Sequence, residues 1–171
     1  QENGLVAVDM GEPRLAAADI PFAPAPGEAA DALWHEIGLD GASARFSCVN
    51  MGNPHAVLVV DDVHYAPVAE WGARLERHPQ FPERVNVGFM QVLDAHHIRL
   101  RVFERGTGET QACGTGSCAA AVAGMRAGLL ARQGSVCVSL PGGDLQIEWA
   151  ADNHVLMAGP AAKVFEGTVT Y

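Results

Sequence analysis

Apolar and polar positions along the chain alternate in short runs, which predicts a sheet of many strands. Residues 56–60 form a continuous β-branched apolar run, typical of a strand buried on both faces. Residues 84–93 and 97–103 alternate between apolar and polar side chains, so each is expected to place one face in the core. Other strands are predicted over residues 5–9, 46–50, 135–140, 145–149, 155–157 and 163–171.

Three segments have the spacing of helices. Residues 31–39 predict a short helix that buries Leu33, Trp34 and Ile37. A second helix is expected to start at Pro67 and to reach Arg77, because proline suits a first helical turn. Its apolar stripe consists of Val68, Trp71 and Leu75.

The third predicted helix, about residues 117–131, is apolar nearly all round, which indicates a helix buried within a sheet. Many strands around one central helix predict an α+β domain with a barrel-like, mixed or antiparallel sheet. A length of 171 residues fits one such domain. The proline-rich residues 19–30 predict a surface connection.

Two segments that leave predicted strands resemble each other, Val-Asp-Met-Gly-Glu-Pro from residue 8 and Val-Asn-Met-Gly-Asn-Pro from residue 49. Two copies are too few for a solenoid. We therefore expect two similar turns at the ends of strands.

Charge and cysteine content narrow the class of protein. The formal net charge is −9, and the chain has no run of Lys or Arg that would neutralise nucleic-acid phosphates or anionic lipid. Four cysteines are too few for a disulfide scaffold, and no apolar run is long enough to cross a bilayer. Because the sequence shows no secretory leader, a cytoplasmic protein is expected.

Cys113 stands near the end of a predicted glycine-punctuated loop, residues 104–116, three residues before the apolar helix begins. The unpaired N–H groups and the dipole at a helix N-terminus favour a thiolate, and glycines at 114 and 116 would let a carboxylate approach the same N–H groups. A buried structural cysteine is an equally good interpretation, and Cys118 is expected to belong to the core. The spacing of the cysteines disfavours a zinc site.

Other polar residues lie where predicted strands end. Glu104 and Arg105 could bind the ammonium and carboxylate groups of a zwitterion, or could simply be a solvated strand end. Asn53 and His55 flank a proline and suit a turn. Asn86 interrupts a strand, so its amide is expected to satisfy a backbone group or to bind a ligand. Together these residues suggest acid/base chemistry on a small polar molecule.

The same residues resemble the C-terminal half of diaminopimelate epimerases, in collinear order over essentially the whole chain. The resemblance is strongest over residues 108–120, Gly-Glu-Thr-Gln-Ala-Cys-Gly-Thr-Gly-Ser-Cys-Ala-Ala. It also includes residues 51–55 (Met-Gly-Asn-Pro-His), 81–89 (Phe-Pro-Glu-Arg-Val-Asn-Val-Gly-Phe), 101–106 (Arg-Val-Phe-Glu-Arg-Gly), 140–143 (Leu-Pro-Gly-Gly) and 159–167.

The resemblance implies an activity and its residues. The family interconverts LL- and meso-diaminopimelate, precursors of lysine and peptidoglycan, with two cysteines and without pyridoxal phosphate, another cofactor or metal. Cys113 matches one of these cysteines, and helix N–H groups at Gly114 and Thr115 match those that bind the substrate carboxylate. Glu104 is similar to the residue that neighbours the thiol and holds the reacting ammonium.

By the same resemblance, Arg105, Asn53 and Asn86 match groups that bind the distal end of the substrate. His55 is expected near the opposite cysteine. Thr115 stands where many members have serine. A homodimer is expected of the complete bacterial enzyme.

The family's second cysteine lies in an N-terminal domain, in a loop that nothing in this sequence matches. The chain also lacks an initiator Met and begins almost at once with a strand pattern. We therefore expect residues 1–162 to be the C-terminal domain of a longer enzyme and residues 163–171 to be a strand that packs on the N-terminal half. Alone, this chain is expected to be inactive, because one thiol cannot serve both faces of a carbon atom.

Two alternatives stay open. A proline or hydroxyproline racemase-like enzyme would use a similar pair of cysteines. A non-catalytic ligand-binding domain would keep the fold after losing half of the site.

Overall fold

The computed structural model describes residues 4–29, 31–39 and 41–169. These residues form ten strands, two α-helices and a short 3-10 helix at Ala17–Asp19. The strands are β1 (Leu5–Asp9), β2 (His35–Leu39), β3 (Ala42–Asn50), β4 (Pro54–Val59), β5 (Asn86–Asp94), β6 (His97–Glu104), β7 (Gly108–Thr110), β8 (Val136–Leu140), β9 (Gly143–Trp149) and β10 (Val155–Pro160). The helices are α1 (Val68–Glu76) and α2 (Gly114–Arg126).

The strands of the described chain form one mixed sheet, in the order β1-β10-β9-β8-β6-β5-β4-β3-β2, with β7 paired to β6. The β4–β5 and β6–β8 pairs are parallel, and the other pairs are antiparallel. An antiparallel bridge between Arg14 and Asn50 connects the chain after β1 to the end of β3. The sheet thereby curves towards a barrel.

Helix α2 lies inside this curved sheet, as its composition predicts. Residues 116–125 are all buried, and the helix contacts β3, β4, β5, β6, β8, β9 and β10. Its alanines and valine form one core with apolar side chains of these strands. The predicted α+β fold, with a sheet around a buried helix, is confirmed.

The limits of this helix differ from the predicted 117–131. It begins at Gly114, because Gly114-Thr115-Gly116 already form its first turn. It ends at Arg126, because Gly128 takes a left-handed conformation with φ 68° and its N–H bonds to the Met125 carbonyl.

A second core lies on the other face of the sheet, where α1 packs. Val68 and Leu75 of the predicted stripe are buried there, while Trp71 is half-buried. Gly72 brings the helix close to β6, since a Cβ atom at this position would lie 2.5 Å from the Phe103 ring. The predicted helix from Pro67 is confirmed, with Pro67 as its N-cap.

Three predicted segments differ in the structure. Residues 35–39 form β2 rather than a helix, because His35, Ile37 and Leu39 alternate into the core and pair with β3. Residues 30 and 40 of that region lie outside the described residues. The proline-rich connection is not confined to the surface, since Ile20 and Phe22 are buried in the second core.

The predicted strand over residues 163–171 is not formed in the described part, which ends at residue 169. Residues 161–169 have no regular secondary structure, and Phe165 is 83% exposed. A strand needs a neighbour to bond its backbone N–H and C=O groups. The packing of this segment on an N-terminal half stays a prediction.

No helix within the described ranges combines the length and the apolar character needed to cross a membrane.

Candidate active site

Cys113 is the N-cap residue of α2, directly at the helix end rather than three residues before it. Its backbone is extended, with φ −143°, and its Sγ accepts a hydrogen bond from Gly116 N at 3.4 Å. A Cβ atom at position 116 would lie 3.1 Å from this sulfur, so glycine is what lets the thiol lie over the first helical turn. Ser117 Oγ donates to the Cys113 carbonyl at 2.9 Å and fixes the same turn.

The thiol of Cys113 is held in its protonated form. Burial raises its pKa above the ordinary 9.0, and the Glu104 carboxylate raises it further. The Thr115 hydroxyl and the Gly116 N–H lower the pKa, as expected for a helix N-terminus, but they do not outweigh burial. In this chain the helix N-terminus does not lower the net pKa of Cys113, contrary to what its position in the sequence predicts, and the thiol carries its proton at neutral pH.

Cys118 is completely buried one turn further along α2. Burial raises its pKa to about 12, so this thiol stays protonated. Its prediction as a core residue is confirmed.

Glu104 ends β6 beside this thiol, and β7 holds its carboxylate in place. Strand β7 pairs back on β6, which brings Thr110 opposite Val102. The Thr110 hydroxyl donates to Glu104 Oε1 at 2.6 Å. The charge of Glu104 and its hydrogen bonding both act to raise the pKa of Cys113, so this carboxylate lies near the thiol.

His55 connects the turn after β3 to the N-terminus of α2. Its Nε2 lies 3.0 Å from Asn53 Oδ1 and 3.1 Å from Thr115 Oγ1. The Thr115 hydroxyl in turn lies 3.7 Å from Cys113 Sγ. Asn53, His55, Thr115 and Cys113 therefore form one chain of polar contacts, which uses the hydroxyl of Thr115 and not only its N–H.

This histidine is neutral at physiological pH. His55 is 1% exposed on β4, and burial lowers its pKa to about 3, with a further contribution from the positive charge of Arg105. A neutral imidazole can donate or accept a proton in a hydrogen bond without adding a charge to the site.

Asn86 and Arg105 complete the cluster. Strands β4 and β5 are parallel and place Asn86 beside His55. The Asn86 amide donates to the Pro54 carbonyl at 3.0 Å and accepts from Arg105 N at 2.9 Å, so it satisfies backbone groups on both sides. The exposed Arg105 donates through Nη1 to the Glu83 carbonyl at 2.8 Å.

The structure thus brings the eight sequence-predicted site residues together at one end of the sheet. Two parts of this site were not foreseen. Residues 104–116 were predicted as a loop, so the strand that presents Thr110 was missed, although Thr110 belongs to the glycine-rich motif. The second part is Glu76, the buried last residue of α1, whose Oε1 accepts from Gly106 N at 2.8 Å. It was missed because a glutamate at a helix end normally faces solvent.

Comparison with known proteins agrees with the resemblance seen in the sequence. Residues 47–164 match the family model for diaminopimelate epimerase. The chain is 59% identical over 170 residues to a protein named diaminopimelate epimerase from Neisseria meningitidis, and 56% identical over 168 residues to one from Pseudomonas aeruginosa. These matches include 99% and 98% of this chain, but only 60% and 59% of the length of the two relatives.

Solved structures show the same fold at low identity. A predicted epimerase from Pseudomonas aeruginosa matches 91% of this chain with a TM-score of 0.61 and 19% identity. A hydroxyproline epimerase from Agrobacterium vitis matches 92% of this chain and 50% of its own length, with a TM-score of 0.62 and 16% identity. These two likenesses concern the fold alone, whereas the family model covers more than half of the sequence. The chain belongs to the diaminopimelate epimerase family.

Proposed function

We propose that this chain supplies one half of the active site of an enzyme that epimerises LL-diaminopimelate to meso-diaminopimelate. The observation that carries the proposal is the position of the Cys113 thiol, at the N-terminus of α2, 3.7 Å from the Thr115 hydroxyl and near Glu104. Relatives that are 59% and 56% identical to this chain are named for this activity. The second cysteine would come from a further part of the enzyme, since the chain spans about 60% of those relatives.

A protonated Cys113 would act as the acid in this reaction. A thiolate on the opposite face of the substrate removes the α-hydrogen as a proton, and the electron pair of the broken C–H bond is delocalised into the carboxylate. The Cys113 thiol then gives its proton to the other face of the α-carbon and becomes a thiolate. In the reverse direction that thiolate acts as the base, so no external reductant or oxidant is required.

Stabilising the negative charge is the difficult part of this reaction. The N–H groups of Gly114 and Thr115 start α2 and have no acceptor within the described residues. They lie at the positive end of the helix dipole and would bind the α-carboxylate as its charge increases. Glu104, oriented by Thr110, would hold the α-ammonium beside the thiol.

The distal amino-acid end of diaminopimelate would lie near Arg105, Asn53 and Asn86. Arg105 is exposed and carries a positive charge for a carboxylate, and Asn53 is half-buried and contacts His55. A substrate with a second zwitterionic end uses these groups, whereas proline has no such end. This distinction favours diaminopimelate over a racemase-like substrate. The complete enzyme would be a cytoplasmic homodimer.

Hydrogen exchange at the α-carbon tests the proposal. Residues 1–171 replace the matching part of the Neisseria meningitidis relative, and this hybrid is incubated in D₂O with diaminopimelate or with proline. We expect deuterium to enter diaminopimelate only, and no exchange with the 171-residue chain alone. Exchange into proline only would refute the proposal in favour of the racemase alternative, and no exchange into either would favour a non-catalytic domain.

Substitution of Cys113 tests its role in the same assay. Cys113→Ala removes the acid/base group and is expected to reduce turnover by roughly 10²–10⁴-fold. Cys118→Ala is the matched control, since it removes a buried thiol one turn along the same helix and is expected to leave turnover within about threefold. Normal turnover in Cys113→Ala would refute the assignment.

A further inference from the structure

Glu76 is a buried carboxylate for which the reaction chemistry has no direct use. It is the last residue of α1, and its side chain is 2% exposed. Burial acts to raise its pKa, but a hydrogen bond from Gly106 N–H and the charges of Arg77 and Arg84 outweigh burial, so the pKa lies below the ordinary 4.5. A carboxylate removed from water is costly unless such partners satisfy it.

The partners of Glu76 belong to different segments of the chain. Its Oε1 accepts from Gly106 N at 2.8 Å and lies 3.5 Å from Arg84 Nη1. Its Oε2 accepts from Arg77 Nε at 3.0 Å. Both arginine side chains are more than half exposed, whereas the bond to Gly106 is made by a backbone N–H beside the candidate active site. The buried charge is therefore aimed at the turn that follows Glu104.

This turn carries two of the site residues. Thr107 N bonds to the Glu104 carbonyl at 3.1 Å and closes the turn, and Gly106 takes φ 77° within it. Arg105 N bonds to Asn86, and the Arg105 guanidinium bonds to the Glu83 carbonyl. Glu76 holds the next N–H along the chain, so successive amides of the turn are fixed by two different side chains.

We propose that Glu76 is a positioning residue, which holds the turn of residues 104–106 so that Arg105 stays in place for the distal end of the substrate. The proposal rests on the function proposed above. Glu76 does not touch the reacting atoms, and it acts through the Gly106 amide. Its charge matters because a carboxylate accepts a stronger hydrogen bond than a neutral amide does.

The first test uses the 171-residue chain and does not depend on activity. Amide hydrogen exchange at Gly106 and Arg105 is measured by NMR in the unaltered chain, Glu76→Gln and Glu76→Ala. We expect exchange at Gly106 to accelerate by about tenfold or more in Glu76→Ala, the effect of losing one hydrogen bond to a charged group, and less in Glu76→Gln. Glu76→Gln keeps the shape and an acceptor oxygen, which guards against a variant that simply fails to fold.

The matched control is Glu70→Gln, the same substitution on the same helix. Glu70 is exposed and pairs with Arg74 at 3.4 Å, away from the turn. It is expected to leave exchange at Gly106 and Arg105 unchanged. Equal exchange rates at Gly106 in Glu76→Ala and the unaltered chain would overturn the proposal.

The second test separates positioning from general stability in the hybrid enzyme. Glu76→Ala is expected to raise KM for diaminopimelate by about tenfold and to leave kcat within about threefold, with partial recovery of KM in Glu76→Gln. A fall in thermal stability with KM unchanged would overturn the proposal in favour of a purely structural role. If the unaltered hybrid does not exchange the α-hydrogen, the proposed function is refuted, and the exchange rates at Gly106 still decide whether Glu76 holds the turn.

Discussion

The turn after β1 and the turn after β3 have nearly the same sequence and the same backbone geometry. Gly11 N bonds to Asp9 Oδ1 at 2.8 Å, and Gly52 N bonds to Asn50 Oδ1 at 2.7 Å. Both glycines are left-handed, with φ values of 76° and 94°. The predicted similarity of the two turns is confirmed in their hydrogen bonds.

A histidine stands beside each turn, but the two histidines have opposite electrostatics. His154 is 39% exposed, and its Nδ1 lies 2.9 Å from Asp9 Oδ2. The hydrogen bond and the charge of Asp9 raise the pKa of His154. His55 is buried beside the second turn, and burial lowers its pKa to about 3.

The difference shows that turn geometry and turn chemistry have separate origins. An Asx side chain followed two residues later by a left-handed glycine forms this turn from local interactions. The chemistry depends on what packs against the turn. Thr115 of α2 contacts His55, whereas Asp9, the partner of His154, is more than half exposed.

The largest difference between the two turns is expected in how their histidines make the free energy of unfolding depend on pH. The folded-state pKa of His55 lies below its unfolded value of about 6.5, so the unfolded chain takes up a proton that the folded chain does not. Stability therefore falls as pH drops below 6.5, by about 1.4 kcal/mol per pH unit, and amounts to a loss of about 2 kcal/mol at pH 5. His55→Gln is expected to lose that much less stability between pH 7.5 and pH 5 in denaturant unfolding.

His154→Gln is the control for this measurement and has the opposite sign. The raised pKa of His154 contributes stability that is present at low pH and is lost as pH rises through the folded-state pKa. Parallel pH profiles for His55→Gln and the unaltered chain would contradict the neutral, buried state of His55.

Alanine substitution of the two glycines separates geometry from chemistry. A Cβ atom at Gly11 or Gly52 would meet nothing within 4 Å, so each substitution costs only the strain of a left-handed alanine, about 1 kcal/mol. The two variants are expected to lower the melting temperature equally. In the hybrid enzyme only Gly52→Ala is expected to reduce turnover, because Asn53 and His55 follow that turn. Equal losses of turnover would show that both turns serve the site.

The smallest effect is expected at the exposed pair of Asp9 and His154. Asp9→Asn removes the charge that favours protonated His154, so the His154 pKa should fall towards its ordinary value. An NMR titration of the histidine ring protons measures this pKa, and His55 should show no titration above pH 5 in the same spectra. An unchanged His154 pKa would show that Asp9 is not its partner in solution.

Much of the fold follows from local pattern. Residues 97–103 and the buried helix were predicted because alternation and an all-apolar surface reflect packing directly. Residues 35–39 were predicted as a helix, because a short apolar run fits either period until its pairing with β3 is known. The end of α2 was predicted at residue 131, but the helix ends at Arg126, because Gly128 takes the left-handed conformation that terminates a helix.

In the candidate site, too, some features were predicted from local sequence and others depend on tertiary contacts. Cys113 and Glu104 were identified from residue type and position and His55 from the family resemblance, but the pKa shifts of Cys113 and His55 were not predicted. A helix N-terminus favours a thiolate, yet burial and Glu104 raise the pKa of Cys113. Burial is a property of the assembled structure, and sequence spacing does not measure it.

By itself, the sequence determined most of the strands, the buried helix, the two Asx turns and the residues that carry chemistry, because these depend on neighbours within a few positions. The tertiary structure alone decided that Thr115 joins His55 to Cys113 and that Glu76 reaches Gly106 across 30 positions of sequence. These contacts join segments that are distant in the chain, and their hydrogen bonds and pKa shifts arise only when packing removes the groups from water.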